Sequence, residues 1–154
     1  MTAPTASGHF LMSQPDPRMS TALPLVLYDS SCGLCAASVT WLLRRDRPRA
    51  DAARFAPLTG STAAGLLSAH PWLHTVNSVI WLPAHGGTPL VRSEAVLAML
   101  RYLGGPWQVL AALGRLVPRR LRDTLYATVA RHRHRLFPAR CLVPAPEWRP
   151  RFLD

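Results

Sequence analysis

Leu23 to Tyr28 is a short apolar run that stops at the turn signal Asp29-Ser30-Ser31, the pattern of a buried strand entering a loop. From Cys32 the period changes. Leu34, Val39, Leu42 and Leu43 recur at helical spacing, Ala36 and Ala37 favour helix, and Arg44, Arg45 and Arg47 suit its negative end before Pro48 stops it. Ala53 to Leu58 predicts a second strand, and Ser61 the N-cap of a short helix through Ala69. Val76 to Leu82 predicts a third strand, joined through "PAHGGT" to a brief fourth around Leu90 and Val91, with the Gly pair marking the hairpin turn. Ser93 then caps a helix that Gly104 and Gly105 end, and two more helices follow over Pro106 to Val117 and Pro118 to Phe137. Pro144, Pro146 and Pro150 make the last dozen residues irregular.

A helix after the first strand forces a parallel crossover to the second, whereas the hairpin gives an antiparallel pair. The expected fold class is therefore α/β, a mixed four-stranded sheet with flanking helices in thioredoxin and glutaredoxin order, plus a C-terminal helical extension. We divide the chain into a disordered leader over residues 1–22, a thioredoxin-like domain over 23–105, and a basic helical extension over 106–154 packed on the same domain. Met19 is a second candidate start within the leader.

Composition alters this picture in one respect. Hydrophobic residues are 49% of the 154, which suffices for a core, but all 18 cationic side chains are Arg and the formal net charge is +10. From Arg115 to Arg151 ten Arg stand against Asp123 and Glu147. Such a run serves a nucleic acid, an anionic membrane or solvent. We expect a solvated helix face, no nucleic acid, and at most weak anionic membrane contact through the basic C-terminal helices. Leu121, Leu125, Val129, His132 and Leu136 form one stripe with Arg on its flanks, expected to be core. Three cysteines, an odd number, speak against a disulfide scaffold. The leader has only the apolar patch Phe10 to Met12, too short for a signal peptide, and no window is long enough to span a membrane, so the expectation is cytoplasmic.

The chemistry concentrates in "DSSCGLC". Residues three apart share a helix face, so the sulfurs of Cys32 and Cys35 approach disulfide distance with little strain. Cys32, at the strand-to-helix turn, meets unpaired N–H groups and the positive end of the dipole, which favour a thiolate and mark it as the nucleophile. Cys35, expected to be the more buried, resolves the mixed disulfide. Asp29 caps the turn by accepting N–H bonds from Ser31 or Cys32, or takes the proton of Cys35 during resolution. The competing reading is a metal-binding or carrier module, with Cys141, His132 and His134 completing a ligand set.

The chain resembles the DCC family of thiol-disulfide oxidoreductases, named for an Asp-x-x-Cys-x-x-Cys signature that here is Asp29, Cys32 and Cys35. The likeness continues through "FAPL" at Phe55 to Leu58, "RSEAVLAML" at Arg92 to Leu100, "LGGPW" at Leu103 to Trp107, "LVPRRLRD" at Leu116 to Asp123, "ARHRHRLF" at Ala130 to Phe137 and "CLVPAPEWRPRFL" at Cys141 to Leu153. It implies a thioredoxin-like fold and disulfide exchange, without a cofactor or metal, with a disulfide-bearing protein or a low-molecular-weight thiol. Cys141 matches a cysteine that the family carries near its C-terminus, which makes it a candidate third thiol or ligand at the site, the alternative being a buried structural cysteine. The basic stretch Arg131 to Arg135 falls on a basic family segment, which either receives an anionic substrate such as glutathione or simply solvates the helix. The loop expected to face the cysteines holds Asn77 and Ser78, where thioredoxins carry a cis-proline.

Overall fold

The computed structural model describes residues 22–47, 49–76, 78–139 and 141–153. The expected leader, apart from Ala22, lies outside them, as do Met19 and Asn77. The elements run β1 (Leu25–Tyr28), α1 (Gly33–Arg45), β2 (Arg54–Pro57), α2 (Ser61–Ala69), a 3₁₀ segment Pro71–Thr75, β3 (Ile80–Leu82), β4 (Leu90–Val91), α3 (Arg92–Leu103), α4 (Pro106–Leu116), α5 (Arg119–Leu136) and a 3₁₀ segment Pro146–Arg151. The four strands form one sheet in the order β2-β1-β3-β4. β1 and β2 are parallel, Leu27 opposite Ala56, while β1–β3 and β3–β4 are antiparallel. This is the mixed thioredoxin-like sheet expected from the order of elements.

Alternation along each strand supplies a different core on each face. Val26, Tyr28, Phe55 and Trp81 point to the side covered by α1 and α3, where they meet Val39, Leu42, Leu43 and Ala95. Leu27, Ala56, Ile80 and Leu82 point to the other side and bury Ala63, Leu66 and Leu73 of α2 and the following 3₁₀ segment. The expected third strand is shorter than Val76 to Leu82, because Pro71–Thr75 winds as 3₁₀ and pairing begins only at Ile80. Gly60, not Ser61, is the N-cap of α2, and α3 starts one residue before Ser93.

The C-terminal helices rest on α3, with α5 also touching α1. Trp107 of α4 meets Trp41 of α1 edge to face at 4.9 Å, with the Arg45 guanidinium over both rings. The stripe on α5 is not core. Leu121, Leu125, Val129 and Leu136 are exposed, as is His132, and the face turned inward is polar. Arg122 pairs with Glu94 at 2.8 Å, Ser93 bonds Asp123, Tyr126 reaches Ser78 and Val79, and Arg133 reaches Asp29. Residues 141–145 are irregular as expected, Pro146–Arg151 winds as 3₁₀, and the segment is fastened to the sheet, since Leu153 N–H donates to the Phe55 carbonyl at 2.8 Å and Phe152 stacks on the Phe55 ring.

Candidate active site

Tyr28 is the last residue of β1, and the chain turns sharply before α1. The Asp29 carboxylate makes that turn by accepting the Ser31 N–H at 2.9 Å and the Ser31 hydroxyl at 2.6 Å on Oδ1. The Cys32 N–H donates to the Asp29 carbonyl at 3.3 Å, which leaves Cys32 as the N-cap of α1. Its sulfur then takes the place of a capping oxygen: Cys35 N–H donates to Cys32 Sγ at 3.4 Å. The two cysteines are thus joined across the first turn of the helix, both as free thiols.

Burial is the reverse of the sequence expectation. Cys32 has no exposed surface, whereas Cys35 is half-buried. The carbonyl oxygen of Pro138 lies 2.2 Å from where a Cβ on Gly33 would stand, so the segment leaving α5 passes directly over the first residue of α1. Only glycine allows that approach. Partial burial, followed by the hydrogen bond and charge of Cys32, pushes the Cys35 thiol up to about 12.

Sequence reasoning missed Arg133. It sits in the basic run expected to be solvated, yet it is buried and its Nη2 lies 2.9 Å from Asp29 Oδ2, while Nε donates to His134 Nε2 at 3.3 Å. Burial raises the affinity of Asp29 for a proton, but the Ser31 hydrogen bonds and the Arg133 charge outweigh it and hold the carboxyl below its usual range. The available signal was register: Arg122, Tyr126 and Arg133 share one side of a helix, and all three are at least half-buried.

Ser78 lies where the antiparallel register of β1 and β3, carried beyond Leu27–Ile80, puts it opposite Asp29. Its hydroxyl is turned to internal work. It accepts the Arg92 N–H at 2.7 Å and lies 3.0 Å from the Tyr126 hydroxyl and 2.8 Å from the Val79 carbonyl, fastening the segment before β3 to the start of α3 and the middle of α5. Cys141 is exposed. Among the described residues, no three His, Cys, Asp or Glu side chains converge to hold a metal ion, so the ligand set of Cys32, Cys35 and Cys141 with a histidine is not assembled.

The sequence model of the DCC1-like thiol-disulfide oxidoreductases matches residues 26–139, a span that includes the turn, both cysteines and Arg133. The chain belongs to that family. Among curated relatives, this DCC1-like chain is 30% identical over 131 residues to the uncharacterized protein YuxK of Bacillus subtilis, covering 84% of this chain and 93% of that one. It is likewise 30% identical over 115 residues to a chloroplastic DCC family protein of Arabidopsis thaliana, covering 74% of this chain and 64% of the relative. No solved structure matches it.

Proposed function

We propose that the protein is a thiol-disulfide oxidoreductase whose redox pair is Cys32 and Cys35. The observation that carries this reading is the 3.4 Å hydrogen bond from the Cys35 N–H to the Cys32 sulfur, within the family signature and at a helix start. In the reducing direction the Cys32 sulfur attacks one sulfur of a substrate disulfide, and one substrate thiol leaves with the electron pair of the broken S–S bond. Cys35 then attacks the Cys32 sulfur, and its proton passes to the substrate thiolate that this attack releases. The second substrate thiol departs, and Cys32–Cys35 becomes the disulfide. Two electrons have passed to the substrate, and a thiol reductant must return them.

Asp29 serves the turn in this scheme. Ser31 and Arg133 occupy its two oxygens, and its lowered proton affinity makes it a weak base for Cys35. Its ionised form holds α5, and with it the Pro138 crossing, against the start of α1. Substrate reaches the buried Cys32 when that crossing lifts. Candidate substrates are disulfide-bearing proteins and small anionic disulfides such as oxidised glutathione, which the exposed Arg131 and Arg135 would attract. The cytoplasm suits three cysteines that all stand unpaired.

The test is reduction of a small-molecule disulfide with excess dithiothreitol as donor. Cys32→Ser is expected to abolish turnover, and Cys35→Ser to accumulate a mixed disulfide detectable by mass. Full turnover by both variants would refute the assignment.

A further inference from the structure

The exposed stripe on α5 continues a pattern that begins on α4. There Val109, Leu110, Leu113 and Leu116 project into solvent, Leu116 with 80% of its surface exposed. On α5 Leu121, Leu125, Val129 and Leu136 do the same, Leu136 at 63%. Exposed aliphatic side chains are ordinary singly, but two successive helices that turn a Leu and Val ridge outward are not. The inner sides of both helices are committed elsewhere: Ala111 is buried, and Arg122, Tyr126 and Arg133 hold α5 to the domain. The ridges therefore have no partner within the described chain.

Charge identifies the occupant. Arg115, Arg120, Arg131 and Arg135 are exposed on the same two helices, the last three along one side of the α5 ridge at 100° per residue. Between residues 106 and 139 the single acid is Asp123, already engaged by Ser93 and Arg119. A second copy would bring this basic face against itself, because a two-fold interface is isologous. An aliphatic ridge edged by Arg, on helices that are too short or too polar to span a membrane, is the pattern of a segment lying in the interface of an anionic bilayer. We infer that α4 and α5 form a peripheral docking surface for anionic phospholipid. Leucine tips enter the acyl boundary and guanidinium groups meet the headgroup phosphates.

The test uses the full chain and sedimentation with vesicles of phosphatidylglycerol or phosphatidylcholine, at about 0.01 M and about 1 M salt, where the Debye lengths are about 30 Å and about 3 Å. Binding is expected on phosphatidylglycerol at low salt, with loss at high salt and none on phosphatidylcholine. Because its target side chains are exposed, the double variant Leu125→Gln/Val129→Gln should leave the circular dichroism unchanged and weaken binding by about tenfold or more. Arg131→Ser is expected to weaken it by about fivefold. The inference is overturned by no binding to phosphatidylglycerol at low salt, which would leave the face to an acidic protein. Equal binding to both lipids, or affinity unaffected by the leucine and valine changes, also overturns it. Light scattering adds one more arm: a micromolar dimer abolished by Leu125→Gln/Val129→Gln would assign the face to a second copy instead.

Discussion

Cys35 carries a thiol pushed up to about 12 because it is partly desolvated and faces the Cys32 sulfur. A thiol with that affinity for its proton reacts slowly with electrophiles at neutral pH even though it is more exposed than its partner. With the reduced protein and iodoacetamide at neutral pH, peptide mass mapping should therefore show Cys35 as the slowest of the three cysteines, with Cys141, exposed, the fastest. Asp29 leads to a pH dependence of defined sign. Its folded-state proton affinity is below the unfolded one, so its stabilising contribution is present above the unfolded value of about 4 and is lost as pH falls through the lower folded value. In urea titrations the loss of stability below about pH 4 should be shallower in Asp29→Asn than in the parent. Arg133→Gln should flatten the same acid limb and cost about 1 to 2 kcal/mol at neutral pH, since Asp29 remains partly solvated.

The turn and the helix start were readable in the sequence because their causes are local: an Asx turn, a spacing of three, and a change of hydrophobic period within a dozen residues. The cover over them was not, because it depends on residues 104 positions away in the chain, where Arg133 meets Asp29. Helix α5 also showed why an apolar stripe is an ambiguous signal. Its stripe predicted an inward face, yet the helix is seated by Arg122, Asp123, Tyr126 and Arg133, each finding a polar partner at the end of another element. Polar pairing of that kind leaves no periodicity in hydropathy. The close crossing at Gly33 gives a test at this scale. Gly33→Ala should gain up to about 1 kcal/mol of helix propensity, but its methyl group cannot coexist with the Pro138 carbonyl, so the segment after α5 must shift. We expect faster alkylation of Cys32 in Gly33→Ala than in the parent, with far-ultraviolet circular dichroism retained. An unchanged Cys32 rate would mean that this crossing does not control access.

Two ends of α1, about 20 Å apart for its 13 residues, are each closed by the C-terminal part of the chain, and they differ in purpose. At the start, Arg133 holds Asp29 and the Pro138 carbonyl passes over Gly33, between the two cysteines in sequence. At the finish, Asp46, whose side chain is 2% exposed, receives the Tyr102 hydroxyl at 2.7 Å and the Arg151 guanidinium, with Arg49 at 3.7 Å from its other oxygen. Tyr102 in turn accepts the Ala53 N–H at 2.7 Å, and Arg151 Nε donates to the Ala53 carbonyl at 2.9 Å. Burial, then the bond to Asp46, raises the Tyr102 hydroxyl above its usual range, so it remains a donor at any physiological pH. This cluster ties the end of α1, the start of β2, the end of α3 and the terminal segment into one unit, and nothing in it touches a thiol. Arg151→Met keeps a stem over the Phe55 ring, which the guanidinium now overlies at 5.3 Å, while removing the charge. Leaving a buried carboxylate without its closest cation should cost about 3 kcal/mol in urea denaturation. Adding Asp46→Asn should recover part of that loss, because the uncompensated charge is then gone. Turnover of a small disulfide at a temperature where both variants stay folded should match the parent. A drop in turnover without a drop in stability would show that the far end of α1 is coupled to the cysteines instead of serving only to anchor the C-terminus.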